Sequence, residues 1–310
     1  MRMVGVRGVI VALACAFATG AAAGDLRFVM VMHGQPPVPF WQVVRNGADA
    51  AAGELGVTVE FQATATYDMV QMAALIEAAV ASEPDGLVVT IPDAEALRDA
   101  IGAAIAAGIP VVSMNSGSST YADLGIRAHV GQPEYEAGLA AGEKLHEAGV
   151  SQAVCINQEG GNVAGRQRCR GFTDGLQGDV TELAVADQPE RIREQVVNYL
   201  EQNPGVEGAL ALGGIAAAPV LAAFRDEGAF ERVMLATFDF TPEVLEAIEE
   251  GKVVFAVDQQ PYLQGYLPIV MLDKYARYGV LPTGVVKTGP VFVTEDDAER
   301  VSELSAKSLR

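Results

Sequence analysis

The chain has 310 residues, half of them hydrophobic, with 40 acidic against 21 basic side chains and a formal net charge of −19. An acidic surface repels phosphate backbones, which argues against a nucleic-acid partner. The length suits one large or two medium domains, and after the first 23 residues no stretch is long and apolar enough to span a bilayer.

The N-terminus reads as a cleaved export signal. Arg2 and Arg7 precede an apolar run from Val9 to Ala18, and Ala21-Ala22-Ala23 supplies small residues before Gly24. Ala12-Leu13-Ala14-Cys15 carries a weaker lipoprotein-processing signal, with Ala12 where a larger aliphatic residue belongs. Cleavage after Ala23 leaves 287 residues with a formal charge of −21 and two cysteines, Cys155 and Cys169. In an exported chain such a pair is more readily a disulfide than a metal site or a nucleophile. Two buried free thiols are the alternative.

Beyond residue 23, apolar β-branched runs alternate with Ala-rich stretches of helical period. Strands are predicted at 26–32, 57–62, 86–90, 109–113, 152–157, 180–185, 208–212, 233–238 and 253–257. Helices are predicted at 41–55, 67–82, 93–107, 133–148, 163–177, 189–202, 216–227, 241–250 and 262–278. Such alternation implies an α/β fold with parallel sheets covered on both faces.

A weak internal repeat divides the chain further. Glu83-Pro84-Asp85-Gly86 opens the run Leu87-Val88-Val89-Thr90, and Asn203-Pro204 with Glu207-Gly208 opens Ala209-Leu210-Ala211-Leu212 in the same way. Each unit continues through a helix that stops at Gly108 or Gly228 into a strand ending at Asn115 or Asp239. Two similar lobes follow, with Asn115 and Asp239 at matching strand ends. Open parallel sheets bind ligands beyond the carboxyl ends of their strands, so the cleft between the lobes is the place to seek function.

The strand-end residues suit a polyhydroxylated solute. Phe40 and Trp41, the latter the only Trp, can cover the C–H face of a sugar ring. Asp239 and Asn115 can accept hydroxyl hydrogens, and Gln259 can donate and accept. Among Arg166, Arg168 and Arg170, Arg168 is the one expected to face inward with its fixed donors. His33, at the end of the first strand, is a further candidate. Gly160-Gly161-Asn162-Val163-Ala164-Gly165 lacks the ending of a phosphate-binding loop, and neither a G-x-S-x-G elbow nor an H-E-x-x-H helix occurs. With His33, His129 and His146 scattered, no metal, cofactor or catalytic site is expected.

Pro39-Phe40-Trp41, the run from Ala106 to Val112, Arg166-Gln167-Arg168-Cys169-Arg170-Gly171-Phe172, Thr237-Phe238-Asp239 and Asp258-Gln259-Gln260-Pro261 occur in an order that resembles the sugar-binding proteins of ABC transporters, of the ribose- and galactose-binding type. The resemblance implies a type I periplasmic binding protein: two Rossmann-like lobes joined by three hinge crossings, near Gly131, Gln259 and Gly289. Residues 24–130 and 259–288 would form one lobe, and 131–258 and 289–310 the other. Ligand contacts would fall at Phe40, Trp41, Asn115, Ser116, Arg168, Gln188, Gly214, Asp239 and Gln259. Relatives that bind pyranoses commonly carry Asp-Arg where this chain has Asn115-Ser116, Asn where it has Gly214, and often Asn where it has Val38. The run from Gly213 to Pro219 resembles an autoinducer-2-binding branch. The expectation is thus a monomeric periplasmic protein that delivers a monosaccharide or polyol to an ABC permease. Autoinducer-2-like ligands, or a chemoreceptor as partner, are the alternatives.

Overall fold

The computed structural model describes residues 26–34, 38–186 and 188–310. The export signal, its cleavage site and Pro36-Pro37 lie outside the described residues.

The first half of the chain runs β1 (Arg27–Met32), α1 (Pro39–Leu55), β2 (Thr58–Ala63), α2 (Met69–Ala81), β3 (Gly86–Val89), α3 (Ala94–Ala106), β4 (Val111–Met114) and β5 (Ala128–Gly131). The second half runs α4 (Glu134–Glu147), β6 (Gln152–Asn157), α5 (Val163–Leu176), β7 (Asp179–Ala184), α6 (Pro189–Gln202), β8 (Gly208–Ala211), α7 (Gly214–Asp226), β9 (Met234–Phe238), α8 (Pro242–Glu249) and β10 (Val253–Asp258). It closes with α9 (Pro261–Tyr278), β11 (Gly284–Lys287), β12 (Val291–Val293) and α10 (Glu295–Ser305).

Local chemistry fixes the helix starts. The side chain of Asp68 accepts a hydrogen bond from the Gln71 N–H, and that of Asp93 from Glu95 and Ala96. Asn162 and Thr241 cap α5 and α8 in the same way. Each such cap meets donors that a helix leaves unpaired and stabilises it by roughly 1 kcal/mol.

Two six-stranded sheets result, in the orders β11-β5-β4-β3-β1-β2 and β12-β10-β9-β8-β6-β7. In the first, Phe28 and Met30 face one layer of helices while Val29 and Val31 face the other, so β1 is apolar on both sides. The second is likewise packed on both faces, around Phe224 on one and Phe172 on the other. Burying a side chain such as Phe28 contributes roughly 1.5–3 kcal/mol. The chain leaves the first sheet after β5, returns after β10, and crosses again between β11 and β12.

Four elements lie outside the predicted set. β5, β11 and β12 have four residues or fewer, and β12 pairs antiparallel with β10, so the second sheet is not wholly parallel. α10 buries only Ala298 and Val301 and so gives a faint apolar period. Its capping box of Thr294 and Asp297 is the stronger signal.

Candidate ligand-binding cleft

The carboxyl ends of both sheets converge on one cavity. It is lined by His33, Phe40, Trp41, Asn115 and Ser116 from the first sheet, and by Asn157, Gln158, Glu159, Arg168, Gly213, Gly214 and Asp239 from the second. Gln259, just beyond β10, also lines it.

Asn115 and Asp239 hold the same backbone conformation. Their φ values are +60° and +57°, a left-handed state that costs most side chains energy but that Asn and Asp adopt more readily. Each donates its N–H to the neighbouring strand, Asn115 to the Val130 carbonyl at 3.0 Å and Asp239 to that of Val257 at 2.9 Å. The repeat seen in sequence is therefore a repeated turn that aims two polar side chains at one space.

Gln259 joins them. Its Nε2 donates to Asp239 Oδ1 at 2.7 Å, and its Oε1 accepts from Asn115 Nδ2 at 3.4 Å. Asn115 Nδ2 also donates to Gln264 Oε1 at 3.1 Å, and Gln264 returns a bond to the Gln259 carbonyl. One amide chain thus runs from the first sheet to the second through a segment that links them.

Arg168 is buried, and its fork is already engaged. Nε and Nη2 donate to the Glu134 carboxylate at 2.6 and 3.0 Å, and Nη1 donates to the Leu212 carbonyl at 2.8 Å. Its guanidinium stacks 4.4 Å above the Phe238 ring. Close helix packing makes the pair possible: a Cβ on Gly138 of α4 would lie 2.1 Å from the Arg168 carbonyl oxygen. Only glycine lets α4 and α5 approach so closely. Cys155 of β6 and Cys169 of α5 form a disulfide, which ties the turn carrying Arg168 to the sheet.

Because Arg168 is shared with Glu134, it compensates Asp239 only in part. Burial pushes the Asp239 carboxyl up to about 7, against the opposing pull of Arg168 and of the Gln259 hydrogen bond. His33 moves the other way. Burial lowers its pKa below the usual imidazole value, and its Nδ1 pairs with Thr90 Oγ1 at 2.8 Å.

Trp41 is buried, with its ring edge-on to Phe40 and to His33 at centroid distances of 5.0 and 5.1 Å. It serves the first lobe's core as well as the cavity wall. Direct bonds cross the mouth of the cleft. Val163 N–H donates to the Pro92 carbonyl at 2.9 Å, Asn162 Nδ2 to Ser116 Oγ at 3.3 Å, and Gln167 Nε2 to Ser119 Oγ at 2.6 Å.

A periplasmic binding protein domain pattern matches residues 28–279. The chain belongs to the periplasmic binding protein family. Among the relatives of this periplasmic binding protein is the xylose/arabinose-binding protein XylF of Sulfolobus acidocaldarius. It is 25% identical over 84% of this chain and 69% of its own length. The ribose import binding protein RbsB of Haemophilus influenzae is also 25% identical, over 77% of this chain and 82% of its own. A carbohydrate transporter from Acidothermus cellulolyticus, solved in complex with myo-inositol, is 35% identical, covers 92% of this chain and all of its own, and superposes with a TM-score of 0.88.

Of the residues singled out in the sequence of this binding protein, His33, Phe40, Trp41, Asn115, Ser116, Arg168, Gly214, Asp239 and Gln259 line the cavity. Gln188 does not. It sits exposed at the start of α6, after β7, an edge strand of its sheet. Asn157, Gln158, Glu159 and Asn162 line the cavity without having been singled out. Their position at or shortly after the end of β6 was a usable signal, since the same reasoning found Asn115 and Asp239. Glu134 gave none, because its partner lies 34 positions away and only the packing of α4 on α5 joins them.

Proposed function

We propose that this chain is exported by cleavage after Ala23 and captures a neutral monosaccharide or cyclic polyol between its lobes, closing by a hinge near Gly131, Gln259 and Gly289. The lobes would be residues 24–130 with 259–288, and residues 131–258 with 289–310. The closed protein acts as a monomer and delivers its ligand to an ABC permease. No step of chemistry on the ligand is required.

One observation carries this reading. Asn115 and Asp239, held in matching left-handed turns on opposite sheets, face one cavity and are joined through Gln259. A ligand that bonds both prefers the closed form, because only there are both partners within reach. The lining also favours a ligand of little net charge, since the buried cation Arg168 is already matched by Glu134. The myo-inositol complex of the Acidothermus protein supports the cyclic polyol as the first ligand to try.

The test is a thermal-shift screen of the mature protein against myo-inositol, ribose, xylose, arabinose, galactose and glucose. At least one should raise the melting temperature in proportion to the logarithm of its concentration. Silence toward all six overturns the reading. Autoinducer-2-like compounds, screened alongside, distinguish a different polar ligand.

A further inference from the structure

Gln158, immediately after β6, lines the cavity, and its Oε1 is buried with no hydrogen-bond partner among the described residues. A buried carbonyl left unpaired is costly, so in a residue that lines a cavity it calls for a donor from outside the protein. The backbone beside it is shaped to hold it there. A Cβ on Gly213 would lie 2.7 Å from Gln158 Nε2 and 4.0 Å from Asp239 Oδ2. Gly213 itself is extended, with φ 178°, so a Cβ there would strain no backbone and would act only by displacing the end of the Gln158 side chain. Gln158 and Asp239 therefore flank the same spot on the cavity wall. Asp239 spends Oδ1 on Gln259, which leaves Oδ2 for a ligand.

From this juxtaposition we propose that Gln158 is a specificity-determining residue of the cleft: over Gly213, its carboxamide and the Asp239 carboxylate together grip two neighbouring hydroxyls of one ring. This rests on the polyol reading given above. Hydroxyls fit both groups, because a hydroxyl donates to the carboxylate and to Oε1, and also accepts from Nε2 if the amide is turned over. A ring lacking one of the two hydroxyls leaves Gln158 unpaired again, and is rejected for that reason.

Two variants test it, with myo-inositol and the five aldoses as probes. Gln158→Met removes the stranded carbonyl at similar volume, so the ligand-free protein should melt about 2–4 °C higher. The same variant should bind the best of the six probes about tenfold more weakly or worse. Gly213→Ala should weaken binding to a similar degree in the native background, yet change it less than twofold when Gln158 is already Ala. A ligand-free Gln158→Met protein that melts at or below wild type overturns the proposal. So does a Gln158→Met affinity equal to wild type, or a Gly213→Ala loss that persists unchanged without Gln158. Wild-type protein that binds none of the probes is a separate result: it overturns the functional reading, and this inference with it.

Discussion

The two strand ends that face the cleft share a backbone and differ in chemistry. At the first, Asn115 is neutral, and its amide is paired to Gln259, Gln264 and Ser116. At the second, Asp239 carries an acid pushed up to about 7 by burial, beside an arginine whose charge is held mainly by Glu134. The first lobe offers aromatic edges and satisfied amides, while the second offers charge and unspent acceptors. The difference suggests a division of labour: the second lobe supplies the strong hydrogen bonds, and the first covers the ring and completes the enclosure.

The largest effect should come from breaking the second lobe's ion pair. Glu134→Ala leaves Arg168 buried without its counter-charge and should cost about 3–5 kcal/mol of stability, read from denaturant melts. Ser116→Ala, which removes only neutral hydrogen bonds at the first lobe's strand end, should cost about 1 kcal/mol. Equal losses would erase the contrast.

Binding should be asymmetric as well. Asp239→Ala strands the hydroxyls it served and should weaken the ligand by about 2–4 kcal/mol, roughly 30- to 1,000-fold in Kd. Asn115→Ala should lose less, about 1 kcal/mol, because its amide spends most of its capacity inside the protein. Calorimetry on both variants measures the difference directly.

The acid itself gives a third contrast. If ligand hydroxyls donate to ionised Asp239, a proton competes with them below a pH of about 7. Affinity should then fall about tenfold between pH 8 and pH 6 and level off above pH 8. Asp239→Asn should flatten that slope, whereas Asn115→Ala should keep it. Ligand-free stability runs the opposite way. The folded pKa is raised above the ordinary carboxyl value, so the unliganded fold is most stable below that value and loses stability as pH rises through about 7.

The smallest effect should come from Trp41. Trp41→Phe keeps an aromatic wall and should change affinity by less than about 1 kcal/mol. It should nevertheless abolish any ligand-induced change in tryptophan fluorescence, because the chain has no other Trp.

These contrasts also show what a single sequence carries. The buried strands were legible because both their faces are apolar, and Asn115 and Asp239 because a repeat of similar length placed them at equivalent ends. Their left-handed turns and the link through Gln259 were not legible, since the turns depend on bonds to a neighbouring strand of the same sheet and the link on side chains 20 and 144 positions apart. Arg168 was chosen correctly as the inward arginine, but its commitment to Glu134 follows from the glycine-lined contact of α4 with α5. Gln188 was placed in the cleft on resemblance alone, and it is not among the residues that line the cavity.

The most direct test of the account is a calorimetric titration of mature wild-type protein with myo-inositol and the five aldoses, repeated on Asp239→Ala. One ligand per chain should bind for at least one probe, with binding weakened 30-fold or more by the substitution in protein whose melt shows it still folds. Wild-type affinity in a folded Asp239→Ala protein would contradict it, and would place the ligand somewhere other than between the two matched strand ends.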